Sequence, residues 1–321
     1  MAANASADEF RRRCLKPDAN RLGTWTARRL GRPAALHLTR VLVRSDVSAH
    51  QVTAAAALTA CAALAAFGLG DVRAWFAGSW LLVAWYVLDH VDGQIARYRG
   101  TASLDGATLD YLMHHGLNLL LPFALGFGLA RRYDELGWCL AGASWSFGGT
   151  LLTLRHDARY KSFVQRLKLL VGEVRAVGGG GGRPEPARGP RATFAARWRW
   201  CVLKAYEQHV VIGALTMLST LAWLYPAAEP ALRFYVLVMA LPAPLPALRL
   251  ALRSARNGEA EREFAAWFRL RPEARLELRD GWWHVLERES DAATGDHPEP
   301  TTNAACSQGL RDVLTPAASD S

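Results

Sequence analysis

The sequence predicts an all-α integral membrane bundle of about six transmembrane helices, with an N-terminal interfacial amphipathic helix. Three observations carry this. Hydrophobic residues make up 51% of the chain, yet its mean hydropathy is only +0.02, because long apolar blocks alternate with Arg-rich connectors. The blocks lie near the ~20 residues that a bilayer core requires of a helix. The formal net charge is +9 over 321 residues, a balance that suits nucleic acid or an anionic membrane surface. The apolar blocks decide for the membrane, and no nucleic-acid partner is expected.

Residues 1–23 form a polar cytoplasmic segment carrying Arg11-Arg12-Arg13. No apolar stretch follows directly, so no cleavable signal peptide is expected. Residues 24–45 form the interfacial helix, in which Trp25, Leu30, Leu38, Val41 and Leu42 alternate with Arg28, Arg29, Arg40 and Arg44. The rival reading is an amphipathic helix packed on the bundle. Residues 46–255 form the transmembrane domain, with spans at about 49–70, 72–91, 104–130, 136–156, 202–225 and 230–252. The fourth contains Gly142, Ser144, Ser146, Gly148 and Gly149, small residues that permit close helix approach. A Gly-rich cytoplasmic loop at about 171–196 includes Gly178 to Gly182. No Lys-Ser/Thr ending follows it, so it is no phosphate-cradling P-loop. Residues 256–321 form a cytoplasmic, partly disordered tail, with Trp282-Trp283 as an interfacial anchor.

The connectors set the orientation. Ten Lys/Arg precede the first span, Arg97 and Arg99 follow the second, and Arg155, Arg159, Lys161, Arg166 and Lys168 follow the fourth. The opposite side has Arg73, Arg131, Arg132 and Arg233. The positive-inside rule then puts both termini in the cytoplasm, in a multi-pass protein of a cytoplasmic membrane such as that of a bacterium. Five scattered cysteines show no metal-ligand spacing and are read as reduced.

The chemistry concentrates in Asp89-His90-Val91-Asp92-Gly93-Gln94-Ile95-Ala96-Arg97, followed by Gly106, Asp110 and His114. An ionised group in hydrocarbon costs at least about 2.5–3.5 kcal/mol, so apolar segments rarely carry such groups without a function. Asp89 and Asp92 are three apart and Asp110 and His114 four apart, so each pair shares a helix face. Two neighbouring helix ends can aim three carboxylates and an imidazole at one point, an arrangement suited to holding divalent cations against phosphates. Arg97 suits bidentate phosphate contact, although a snorkelling positive-inside residue is the plainer reading of it alone. Gly93 and Ala96 keep the helix face shallow, and Asp105 reads as a helix N-terminal residue.

This stretch resembles the signature of the CDP-alcohol phosphatidyltransferase family, D-x2-D-G-x2-A-R-x8-G-x3-D-x3-D. Asp89, Asp92, Gly93, Ala96, Arg97, Gly106 and Asp110 fall on its first seven fixed positions, and His114 replaces the final Asp. Val47-Ser48-Ala49-His50-Gln51-Val52-Thr53 retains fragments of the I-T-P-N-x-V-T stretch upstream. The resemblance implies a membrane-embedded transferase that moves a substituted phosphate from a CDP-linked donor, such as CDP-diacylglycerol, to an alcohol acceptor. CMP is released, and phospholipid biosynthesis is the implied process. It implies metal ligation by Asp89, Asp92 and Asp110 with Mg²⁺ or Mn²⁺. Gly93, Ala96, Arg97 and Gly106 would be the nucleotide-binding positions, and His114 would stand where the family has its general base. Its partners would be the CDP-linked donor, the alcohol acceptor, membrane lipids and a second copy in a homodimer. Arg155, Arg159 and Lys161, with Glu207 and His209 nearby in the reading, are acceptor-binding candidates, against a plain positive-inside role. The alternative function is a catalytically decayed family member that binds a nucleotide or lipid. A cation transporter is disfavoured, because its acidic groups should lie near the midplane and not at an Arg-flanked edge.

Overall fold

The computed structural model describes residues 7–16, 25–168, 170–171, 201, 203–241, 244–267, 275–279 and 282–286. The expected loop around Gly178–Gly182 and most of the C-terminal tail lie outside these residues. The chain divides into a large unit, residues 1–169 and 173–270, and a small one, residues 170–172 and 271–321.

The large unit is all-α among its described residues, as the sequence predicts. Helix α1 spans Ala7–Cys14. A π-helical turn over Ala27–Gly31 runs directly into α2, Arg32–Leu42. The buried residues of this segment are Ala27, Gly31, Ala35 and Thr39, a small-residue stripe spaced four apart. It packs on α4 (Val72–Arg99): a Cβ at Gly31 would meet the Tyr86 ring at 2.8 Å, and buried Thr39 donates its hydroxyl to Gln94 Oε1 at 2.8 Å. Trp25, Leu30 and Val41 face outward. The segment therefore docks on the bundle by its small face, with Leu38 and Leu42 packed beside it.

Helix α3, Ala49–Gly68, starts at a capping box in which Ser48 and Gln51 satisfy each other's backbone N–H groups. It is apolar all round, as a lipid-embedded helix should be. Asp71 caps α4, whose other end stops at Gly100 in the left-handed conformation, φ 69°. Ser103 then caps α5, Leu104–Tyr133. Helix α6 is Gly137–Lys168 and α7 is Gln208–Leu224. Helix α8 covers Glu229–Ala240, α9 Pro244–Arg256 and α10 Glu259–Trp267.

Helix α4 is the hub, packing against α1, α2, α3 and α7, while α5 packs on α3 and α6. The α5–α6 crossing rests on missing side chains: a Cβ on Gly142 would lie 2.5 Å from Pro122 O, and one on Gly126 would lie 2.6 Å from Trp138 O. Ser146 donates to Leu119 O at 2.7 Å and Ser144 to Ala240 O at 2.8 Å. Small residues let the backbones approach and hydroxyls bridge the helices, as the fourth-span composition predicts. Trp75, Leu82, Trp85, Leu125, Leu215 and Leu232 fill the core. Trp80, Phe147, Met217 and Phe234 are each at least half exposed on the outside, an apolar surface that suits lipid and not water.

Two helices, Ala49–Gly68 and Leu104–Tyr133, are long and apolar enough to cross a membrane, and Gln208–Leu224 is a shorter apolar helix. Helices α4 and α6 occupy the expected second and fourth spans but carry charged residues toward one end. The expected span at 230–252 is not one helix. Helix α8 ends at Ala240 and α9 begins at Pro244, in a stretch whose sequence carries Pro242, Pro244 and Pro246. Each proline removes a helix N–H and crowds the preceding turn.

The described residues of the small unit form a three-stranded sheet that the sequence reading did not foresee. Strand β1, Leu170–Val171, runs parallel to β3, Trp282–Leu286, which pairs antiparallel with β2, Arg275–Arg279. Trp282 and Trp283 thus belong to a strand.

Candidate active site where α4 and α5 meet

Helix α4 ends and α5 begins at the same side of the bundle, because only Gly100–Ser103 separates them. The two ends bring Asp89 together with Asp110 and His114. His114 Nε2 lies 3.3 Å from Asp89 Oδ1 and 3.2 Å from Asp110 Oδ1. One ligand atom from each of the three lies within 4.8 Å of the other two. Asp89 is the more enclosed of the two carboxylates, with 10% of its side chain exposed, whereas Asp110 is 49% exposed. The edge of the Trp85 ring system backs His114, with centroids 5.3 Å apart, and His114 Nδ1 meets Gln208 Oε1 of α7 at 2.5 Å.

Asp92 stands apart from this group. Its Oδ2 accepts the Thr53 hydroxyl at 2.8 Å, across the α3–α4 contact. The sequence reading made Asp92 a ligand and His114 a base; the geometry gathers His114 with Asp89 and Asp110 and leaves Asp92 on Thr53.

Asp89, Asp92 and Asp110 all open on one cleft of about 680 Å³, whose walls include Gly93, Ala96, Arg97 and Gly106. A space of this size accommodates a drug-sized ligand. The nucleotide-binding candidates thus share one cavity. Gly93 has a different local partner from the one expected: a Cβ there would lie 3.2 Å from Arg97 Nη1, so its missing side chain makes room for the guanidinium. Arg97 Nε donates to Cys14 O at 2.7 Å, which fixes the fork from the end of α1. Burial pushes the Cys14 thiol up to about 11, against the pull of Arg97. Arg99, by contrast, is a tie to the α2–α3 turn, donating to Val47 O and Ser45 O at 2.6 Å each.

The acceptor candidates lie elsewhere. Arg155 pairs with Glu259 at 3.2 Å, and Arg159 pairs with Glu259 at 3.0 Å and Glu263 at 2.5 Å. These pairs fasten α6 to α10, so both forks already serve a structural contact. Lys161 is exposed. Glu207 is engaged by Lys204, and His115 by Asp157. Sequence reasoning missed Gln208, the role of Thr53 and the Cys14 carbonyl. Thr53 lay in a quoted motif fragment without a role; a backbone carbonyl and a glutamine ninety-four residues from its partner leave no local signal.

The fold and the site together define a helical membrane protein with a carboxylate–imidazole group beside a cleft large enough for a drug-sized ligand. The CDP-alcohol phosphatidyltransferase family model matches residues 33–154, from the start of α2 through most of α6, and assigns this segment to the family that the motif resembles. No curated protein matches the chain. The family is membrane-associated, uses divalent metal ions and transfers a phosphate group from a CDP-alcohol to an acceptor.

Proposed function

We propose that this protein is an active CDP-alcohol phosphotransferase that moves a substituted phosphate from a CDP-linked lipid donor to an alcohol, in phospholipid biosynthesis. The grouping of Asp89 and Asp110, which line the motif cleft, with His114 carries this reading. Two hard carboxylate oxygens and one imidazole nitrogen form a donor set that fits Mg²⁺ or Mn²⁺. Such an ion, when bound, supplies charge neutralisation at the diphosphate and at the departing CMP oxygen.

The residues divide the remaining work. Arg97, held by Cys14 O, offers its fork to phosphate oxygens. Gly93 and Ala96 keep the wall beside it low. The acceptor hydroxyl oxygen forms the new bond to the donor-side phosphorus, and the bond from that phosphorus to the CMP oxygen breaks. The hydroxyl proton passes to a cleft carboxylate. Both His114 nitrogens are engaged, so we place half-exposed Asp110 opposite the acceptor. The lipid-facing outer surface and the Arg-rich edge beside the cleft support a multi-pass protein with its site at the cytoplasmic face.

The test is CMP release by purified protein in lipid nanodiscs, with CDP-diacylglycerol, CDP-choline and CDP-linked polyols each offered against serine, glycerol 3-phosphate, inositol phosphate and diacylglycerol. Turnover with one pair, abolished by chelator and by Asp89→Asn or Asp110→Asn, is expected. A wild type that binds a CDP-alcohol but is inert with every pair supports the decayed-enzyme alternative instead.

A further inference from the structure

Gln208 is the one polar side chain that α7 delivers to the imidazole of His114, and the family signature gives it no place. Its Oε1 receives His114 Nδ1 at 2.5 Å, while its own Nε2 is buried without a hydrogen-bond partner. A carbonyl oxygen can only accept, so Nδ1 must carry the proton. In the neutral ring the other nitrogen then presents a lone pair. That nitrogen, Nε2, points between Asp89 Oδ1 and Asp110 Oδ1, at 3.3 and 3.2 Å. A lone pair facing two carboxylates is repulsive unless a cation stands among them, and that cation is either a proton on Nε2 or a bound metal ion. Trp85 closes one side of the ring edge-on, and this limits its rotation.

We propose that Gln208 fixes the Nδ1–H tautomer of His114, making His114 Nε2 a direct metal ligand and not the general base, and that the resulting two-carboxylate, one-imidazole site favours Mn²⁺ over Mg²⁺. The inference rests on the metal-dependent reading above. Its physical basis is general. Ligating histidines are held by a second hydrogen bond on the other ring nitrogen, and loss of that partner typically weakens metal affinity about 10–100-fold. Imidazole suits transition ions, whereas Mg²⁺ prefers an all-oxygen set. Gln208 is thus a positioning residue, acting through His114.

The test uses the full-length protein in nanodiscs loaded with Mn²⁺, read by electron spin echo envelope modulation for a directly bonded ¹⁴N and by Mn²⁺ titration. The wild type should show the imidazole ¹⁴N coupling, and His114→Asp should lose it while still binding Mn²⁺. Gln208→Leu should weaken Mn²⁺ binding on the order of 10–100-fold. Gln208→Glu, which restores an acceptor for Nδ1–H, should recover affinity and coupling; a purely packing role predicts no such rescue. Wild type that binds Mn²⁺ without ¹⁴N coupling overturns the ligand role alone. That outcome would mean Nε2 carries a proton and donates to the carboxylates, either in an imidazolium or with the amide reversed. Wild type that turns over in excess chelator and binds no Mn²⁺ overturns the metal-dependent reading itself. Unchanged affinity and coupling in Gln208→Leu, with its fold confirmed by an unshifted melting temperature, removes Gln208 from the proposal.

Discussion

Thr53 of α3 donates its hydroxyl to Asp92 Oδ2 of α4 at 2.8 Å, and this bond joins the upstream motif fragment to the aspartate signature. It holds Asp92 at the cleft wall without placing it among the ligand atoms of Asp89, Asp110 and His114. A hydrogen bond to a charged group is worth about 1.5–3 kcal/mol. Thr53→Val keeps the shape and removes the donor, so kcat/KM for CMP release should fall on the order of tenfold. Thr53→Ser should stay close to wild type, and Asp92→Asn should lose more than Thr53→Val. Full activity in Thr53→Val would show that Asp92 is positioned by something else.

The all-α bundle was legible because apolar length and charged connectors are one-dimensional signals. The Asp110–His114 approach was legible for a related reason: a four-residue spacing translates directly into a helix face, whereas Asp92, three residues from Asp89, bonds Thr53 instead. What the sequence could not show was which face of α2 meets α4. The Ala27-Gly31-Ala35-Thr39 stripe is too small to register as hydrophobic, although close packing selects such residues. Arg155 and Arg159 read equally well as ligand-binding or topological cations, and only their pairing with Glu259 and Glu263 gives them a role. The β2–β3 pairing did have a signal that went unused. Asp280-Gly281 stands between the two strands, flanked by the paired residues Arg279 and Trp282.

The glycines of the α5–α6 crossing are expected to be intolerant of even one methyl group. Gly142→Ala places a Cβ 2.5 Å from Pro122 O, a backbone atom that moves only with its helix. Overpacking of this kind typically costs about 1–3 kcal/mol. Gly213 of α7 has nothing within 4 Å of its would-be Cβ, so Gly213→Ala should be neutral or gain up to about 1 kcal/mol of helix propensity. Thermal unfolding in detergent measures both. Equal melting temperatures for the two variants would contradict the close approach.

Cys14 supplies a pH-dependent reporter of α1 docking. Burial raises its thiol from the usual 9.0 to about 11. Only the thiolate is nucleophilic, so iodoacetamide at pH 8 should modify exposed Cys201 and spare Cys14. The raised value also fixes the sign of the stability effect. The docked state favours the neutral thiol, so its contribution is intact below 9.0 and is lost as the pH climbs towards about 11. Cys14→Ser should remove that alkaline dependence from the melting curve. Rapid Cys14 modification at pH 8 would show that α1 does not hold Arg97 from this position.

His114 sits where the family carries an aspartate, so His114→Asp asks what the imidazole contributes. A carboxylate there completes an all-oxygen donor set, and Mg²⁺ favours such sets more strongly than Mn²⁺ does. The variant should retain turnover while its ratio of Mg²⁺- to Mn²⁺-supported activity rises, on the order of tenfold if the imidazole is a ligand. The Asp side chain is shorter, so it also releases Gln208, whose Oε1 then loses the Nδ1–H it accepts. His114→Ala removes the donor without replacement and should lose most turnover with either ion. Comparing the two variants separates ligand from base. A base contributes the same proton transfer with any cation, so its loss lowers both activities together and leaves their ratio unchanged. A ligand changes the ratio. An unchanged Mg²⁺-to-Mn²⁺ ratio in His114→Asp, measured by CMP release over a full titration of each ion, would return His114 to the base role that its motif position first suggests.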